Sequence, residues 1–291
     1  MYSIKDLENL TGIQTHTIRM WEQRYNLLNP ERTSTNNRVY SDDDLRKIMF
    51  AALLNNNGMK ISKIAGLSDA DINEAVLRLS GSSDSVVESH IETLKLIMIE
   101  MNEEKFEKLF AHLVLHIGFE ETIIRIFAPL FRRLLFLMQT GVITVLQGNF
   151  MTSLYKQKMY VAIDGLAPPK NPDHKMFVMF LPEMEYLDTG LLFCSYMARK
   201  RGCGTLYIDV PCRLKDIQNI IEKNSASYIL SIATMTKTDL TEYYTNVLNA
   251  CNPNQKLLLL GNQIGTVKIN DSRLTIFQNY TEFQGFLNKI Y

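Results

Sequence analysis

Between Gln14 and Tyr40 this 291-residue chain gathers two kinds of side chain with complementary chemistry. Gln14, His16 and Thr17 are short hydrogen-bonding groups of the sort that read base edges. Arg19, Arg24, Arg32 and Arg38 are planar cations that fit phosphate oxygens. Trp21 offers a flat face for a sugar and an indole N–H for a phosphate, and Tyr40 adds a phenol two residues beyond Arg38. Four arginines against Glu22 and Glu31 give the segment an excess of two positive charges. Held on one face, such a set would grip and read duplex nucleic acid. The whole chain's formal net charge of zero neither supports nor excludes this, because the local distribution decides.

Other constellations are less specific. His112 and His116 stand one helical turn apart, a spacing that chelates metals, but no third ligand is near them in sequence. Glu183, Glu185 and Asp188 cluster where they can bind a polar ligand or cap a helix N-terminus, and capping is the expected role. Cys194, Cys203, Cys212 and Cys251 form no Cys-x-x-Cys pair and read as buried thiols in a reducing compartment. Arg132 and Arg133 are expected to snorkel to water or pair with acids. Without a Ser-His-Asp set, a phosphate loop or a metal site, the expectation is a protein that is not an enzyme and uses no metal.

Short helices must position the first set. In residues 3–10, Ile4, Leu7 and Leu10 fall on one inward face. Thr11-Gly12-Ile13 makes a turn in which Gly12 is free to take a positive φ, and Thr15 is placed to cap a second helix ending near Tyr25. Two short helices joined by a glycine turn make a helix-turn-helix whose second helix can enter a major groove. Residues 33–40 follow as a hairpin with Asn36-Asn37 at its tip and Arg32 and Arg38 on its flanks, a wing suited to the DNA backbone.

The chain divides at composition changes. Residues 1–75 form the reading head, and residues 76–85, ending in Gly81-Ser82-Ser83-Asp84-Ser85, form a linker. Residues 86–168 are a helical bundle, with Phe106, Leu109, Phe110, Leu113, Val114 and Ile117 on one stripe and Pro129 expected to kink a later helix. In residues 169–291, apolar runs at 176–181, 205–210, 228–233, 256–260 and 274–277 alternate with helical stretches at 185–201, 213–224, 239–250 and 280–290. That alternation predicts a doubly wound parallel sheet of flavodoxin type, so the fold class is multidomain α+β. The N-terminus leads into an amphipathic segment with no apolar signal core, and residues 123–138 carry Arg125, Arg132 and Arg133. A cytoplasmic protein is expected.

Two resemblances sharpen this reading. Thr17-Ile18-Arg19-Met20-Trp21-Glu22, Arg38-Val39-Tyr40-Ser41-Asp42-Asp43-Asp44-Leu45 and Gly58-Met59-Lys60-Ile61-Ser62-Lys63-Ile64 resemble the MerR family of regulators, with Met20-Trp21 where an aromatic pair is usual. The resemblance implies a winged helix-turn-helix that binds double-stranded DNA, with Gln14, His16, Thr17, Arg19, Trp21, Arg24, Arg32, Arg38 and Tyr40 as contacts. The rest is similar to the cobalamin-binding modules of some MerR-type regulators. Phe119-Glu120-Glu121-Thr122 and Pro129-Leu130-Phe131-Arg132-Arg133 match the helical cap, Glu185 and Gly190 bound the Glu-x-His-x-x-Gly loop, and Ser231 and Gly261 fit later motifs.

The residues on which cobalamin depends are replaced. Leu187 stands where the loop histidine would ligate cobalt, and leucine has no lone pair. Met138, Gly148 and Asn149 stand where the cap carries Trp, Glu and His, and Asn262 replaces the second glycine of a pair. The expected function is therefore a sequence-specific regulator acting as a homodimer without cobalamin, its C-terminal module serving oligomerisation or sensing of a protein or small-molecule effector. The alternative is a sensor that binds a corrinoid or other ligand without the usual histidine.

Overall fold

The computed structural model describes residues 2–32, 36–56, 58–68, 71–72, 75, 83–139, 143–169, 175–183, 185–224, 226–234, 239–261, 264 and 267–291. The chain forms two compact units, Met1–Met151 and Thr152–Tyr291. The first begins with α1 (Ile4–Thr11), α2 (Thr15–Tyr25), a two-stranded antiparallel ribbon of β1 (Glu31–Arg32) and β2 (Arg38–Val39), α3 (Asp42–Asn56) and α4 (Ile61–Ile64). Ser3 and Asp6 cap α1 reciprocally, each side chain bonding the other's backbone N–H. Leu7, Leu10, Ile18, Trp21, Leu45 and Ile48 are buried, so each short helix gains from packing the stability it lacks alone.

A helical section comes next: α5 (Ser83–Glu100), α6 (Glu103–Ile117), α7 (Phe119–Thr122), a π turn (Ile123–Phe127), α8 (Ala128–Gln139) and α9 (Val145–Asp164). Residues 83–85, expected in a linker, already belong to α5; residues 76–82 lie outside the described set. The π turn accounts for Pro129. Proline has no N–H for the carbonyl four residues earlier, and the helix absorbs this by widening, with Ala128 N–H bonding back to Ile123. Phe106 stacks on Phe110, and Phe127 meets both edge-on and Phe131 at a tilt, through the core.

One ion pair and one hydrogen bond from a cation join this section to the reading head. Arg46 of α3 pairs with Glu100 of α5 at 2.8 Å. Lys95 of α5, itself buried, donates from Nζ to Glu92 at 2.7 Å and to the Leu10 carbonyl in the last turn of α1 at 3.2 Å. A cation at the carbonyl end of a helix is favoured by the helix dipole. Arg133 pairs with Glu88, which answers the expectation for that arginine. Arg132 is exposed.

The second unit holds β3 (Met176–Pro182), α10 (Thr189–Lys200), β4 (Gly204–Cys212), α11 (Leu214–Lys223), β5 (Tyr228–Ile232), α12 (Thr241–Ala250), β6 (Lys256–Leu260), β7 (Leu274–Phe277) and α13 (Tyr280–Ile290). The strands are parallel in the order β4-β3-β5-β6-β7. Alternation along β3 explains why both faces are covered. Val178 and Phe180 join Ile217, Ile221, Tyr244 and Val247 on one side. Phe177 stacks on Tyr228 and meets Phe283 of α13. Each such side chain contributes about 1.5–3 kcal/mol when fully buried. The division between units falls inside α9, ahead of residue 169, because the helix's later turns bond to this unit: Tyr155 donates to the Thr189 carbonyl at 3.3 Å and Lys156 pairs with Asp188 at 2.7 Å. All four cysteines are free and buried, and burial raises each thiol above its usual range. Among the described residues no helix is long and apolar enough to cross a membrane.

Candidate nucleic-acid interface

The turn between α1 and α2 is built as its residue types require. Gly12 adopts φ 73°, a conformation that favours glycine. Thr11 Oγ1 donates to the Leu7 carbonyl at 2.7 Å and accepts the Ile13 N–H at 3.1 Å. Thr15 does not cap α2. Its hydroxyl donates to Glu8 Oε2 at 2.8 Å and ties the start of α2 to α1, while the capping residue, Gln14, makes no side-chain bond there.

From that anchor α2 turns Ile18 and Trp21 inward and Gln14, His16, Arg19, Met20, Gln23 and Arg24 outward. The six line one open hollow together with Glu8 and Thr15. Among the described residues the side chains of His16, Arg19, Gln23 and Arg24 make no hydrogen bond or ion pair. Thr17 is half-buried at the edge of this face.

The ribbon adds two more arginines. Arg32 and Arg38 are register partners across β1 and β2. Arg32 Nη1 donates to Asn36 Oδ1 at 2.7 Å, with Asn36 at φ 63°. Residues 33–35 of the expected hairpin lie outside the described set. Arg38 Nε donates to Glu22 Oε1 at 2.9 Å, and the Tyr40 hydroxyl donates to Glu22 Oε2 at 3.0 Å. One carboxylate of α2 thus orients the ribbon against the helix. The pair uses only Nε of Arg38, so its Nη groups have no partner among the described residues.

Two expected contacts are corrected by burial. Trp21 is 3% exposed and Tyr40 0% exposed. A ring that water does not reach cannot lie on a sugar or bond a phosphate in this conformation. The large apolar area of Trp21 is worth more in the core of the head than at its surface. Tyr40 is fixed three ways: by Glu22, and by exchanging both backbone bonds with Tyr2 at 2.8 Å each. Burial and the neighbouring Glu22 carboxylate push its phenol well above the usual range. Sequence reasoning also missed Met20 and Gln23, although counting four and seven residues from His16 along a helix reaches both.

In the second unit Glu185, Asp188 and Ser231 at the sheet's C-terminal edge are turned inward, while Glu183 is exposed. Glu185, 0% exposed, accepts from Thr234 N–H at 2.6 Å, Thr234 Oγ1 at 3.3 Å and Leu187 N–H at 3.1 Å. It therefore links the loop after β3 to the residues after β5, across the point where strand order reverses. Asp188 precedes α10 but makes no capping bond; it accepts from Tyr207 OH at 3.1 Å and pairs with Lys156. Capping thus does not explain these two acids. Burial and Asp188 raise the Tyr207 phenol far above its usual range. Ser231 shares a hydrogen bond with the Tyr244 hydroxyl at 3.0 Å.

Of the other positions singled out by resemblance, three glycines are closely approached by neighbouring groups. Leu187 is half-buried and offers no ligand atom. A Cβ on Gly190 would lie 2.4 Å from the Tyr280 hydroxyl, and one on Gly261 would lie 2.2 Å from the Ala233 carbonyl oxygen. In the first unit, Met138 Sδ would be 2.6 Å from a Cβ at Gly148, so the methionine occupies the space that a side chain there would need. Asn149 is exposed, and Asn262 lies outside the described residues. His90 approaches His112, ring centroids 6.2 Å apart, and His112 approaches His116 at 4.1 Å. Even so, among the described residues no three His, Cys, Asp or Glu side chains are grouped to hold a metal.

Residues 2–71 match the MerR HTH family regulatory protein model. The chain is 26% identical to the HTH-type transcriptional repressor CarH of Myxococcus xanthus over 210 residues, covering 69% of this chain and 68% of that protein. It is 34% identical to the HTH-type transcriptional regulator MlrA of Salmonella typhimurium over 74 residues, which is 25% of this chain and 30% of MlrA. The Methanosarcina barkeri monomethylamine corrinoid protein shares the fold, with a TM-score of 0.53 at 13% identity over 70% of this chain and 99% of its own. The N-terminal region is a MerR-type helix-turn-helix domain, and the remainder of the chain is helical and then a parallel five-stranded sheet, a fold it shares with that corrinoid protein. The curated relatives are named as transcriptional regulators, not enzymes.

Proposed function

We propose that this protein is a sequence-specific DNA-binding transcriptional regulator that acts without cobalamin. The observation that carries the reading is the outward face of α2, where His16, Arg19, Gln23 and Arg24 have no side-chain partner among the described residues, beside a ribbon bearing Arg32 and Arg38. In this reading α2 enters the major groove, and Gln14, His16 and Thr17 at its N-terminal end meet base edges. Arg19, Arg24, Arg32 and Arg38 meet phosphates, and Glu22 positions Arg38 for that contact. One head reaches too few base pairs to discriminate in a genome, so the working species is a homodimer on a roughly palindromic site.

Residues 1–75 serve as the head, 76–85 as a connection, and 86–168 with 169–291 as the module for oligomerisation or effector sensing. The expected location is the cytoplasm. Cobalamin does not fit the residues present. Leu187 supplies no lone pair, Ser231 is bonded to Tyr244, Tyr280 closes on Gly190, and Met138 fills the space beside Gly148.

Selection of bound duplexes from a random pool, with and without added cobalamin, tests both halves. One palindromic motif is expected in both arms, from a colourless protein whose spectrum cobalamin does not change. No enriched motif would defeat the regulator reading. A corrinoid spectrum would defeat only its cobalamin-free half and favour the alternative sensor.

A further inference from the structure

The exposed face of α2 carries one group that neither phosphates nor hydrogen-bonding base edges explain. Met20 is 38% exposed, and among the described residues of α1 to α4 it is the one large apolar side chain so exposed. It lies one turn from His16 and one turn from Arg24, with Arg19 and Gln23 beside it, so polar side chains ring it on the helix surface. Scattered exposed apolar residues are common on proteins. This one differs in its place, at the centre of a face whose neighbouring cations are free to take phosphates on both sides. The arginines then hold the middle of the helix against the groove floor.

Methionine has a flexible chain ending in a thioether, with no donor and only a weak acceptor. The apolar group exposed on the floor of a B-DNA major groove is the C5 methyl of thymine. We infer that Met20 is a specificity-determining residue that packs on a thymine methyl in each half-site. The inference rests on the DNA-binding reading and names what that surface selects.

The selected operator is then expected to hold a fixed thymine in each half-site. Replacing that thymine with deoxyuridine removes one methyl and leaves every hydrogen-bonding group unchanged. Burial of one methyl-sized group corresponds to roughly a fourfold change in affinity per half-site. Full-length protein is to be titrated onto both operators by fluorescence anisotropy, as wild type, Met20→Ala and Met20→Leu. Wild type and Met20→Leu should prefer thymine by about that factor. Met20→Ala should bind the two equally, with an unchanged melting curve. Discrimination that persists in Met20→Ala, a wild type indifferent to the methyl at every thymine, or an operator with no fixed thymine would each overturn the inference while leaving the regulator reading intact. A wild type that selects no duplex at all would instead remove the reading on which it rests.

Discussion

On α2, His16, Arg19, Gln23 and Arg24 stand in solvent with no side-chain partner among the described residues, whereas at the edge of the five-stranded sheet Glu185, Asp188 and Ser231 are buried and each is bonded to a neighbour. Both regions are polar, and both stand where their fold commonly carries a ligand. The difference is availability. A solvated cation loses little when it exchanges water for phosphate, and releasing counterions drives the exchange. A buried carboxylate that already accepts backbone N–H groups must break those bonds before it can receive anything else. Polar composition alone therefore does not mark a binding site; the partners already made do.

The comparison implies that substitutions in the two regions fail in opposite ways. Trp21→Ala should have the largest effect, about 3–5 kcal/mol of stability, because it empties a buried aromatic site in the head. Denaturant unfolding reads this directly. A near-normal stability with selective loss of DNA binding would return Trp21 to the interface.

Glu185→Ala comes next. It strands the Thr234 and Leu187 N–H groups and should cost about 1–3 kcal/mol, with duplex affinity unchanged. An unaltered melting curve would mean that Glu185 does not hold the two loops together. The effect of His16→Ala should be smallest in stability, within about 0.5 kcal/mol, yet it should relax preference at one or two base pairs. Equal losses on operator and random duplex would remove His16 from base reading.

Legibility in the sequence divides along the same line. Features fixed by local chemistry were legible: Gly12 in its left-handed turn, and β6 and β7 at Lys256–Leu260 and Leu274–Phe277, where continuous apolar runs leave little choice of boundary. Features fixed by distant partners were not. Tyr40 looks like a contact until Glu22, on another element, claims its hydroxyl. Asp188 looks like a helix cap until Tyr207 and Lys156 take it. Trp21 is amphipathic, and only packing decides which of its properties is used. His90 joins His112 across two helices that sequence spacing does not bring together.

The account depends most on the arginines of the head meeting DNA phosphates, and the salt dependence of duplex binding measures that contact directly. Apparent affinity of the full chain should fall linearly with ionic strength on logarithmic axes. Arg19→Ala and Arg38→Ala should each flatten the line by about 0.9 for every head on the duplex and weaken operator and random DNA alike. Slopes identical to wild type in both variants, or no affinity for any duplex at low salt, would contradict the account.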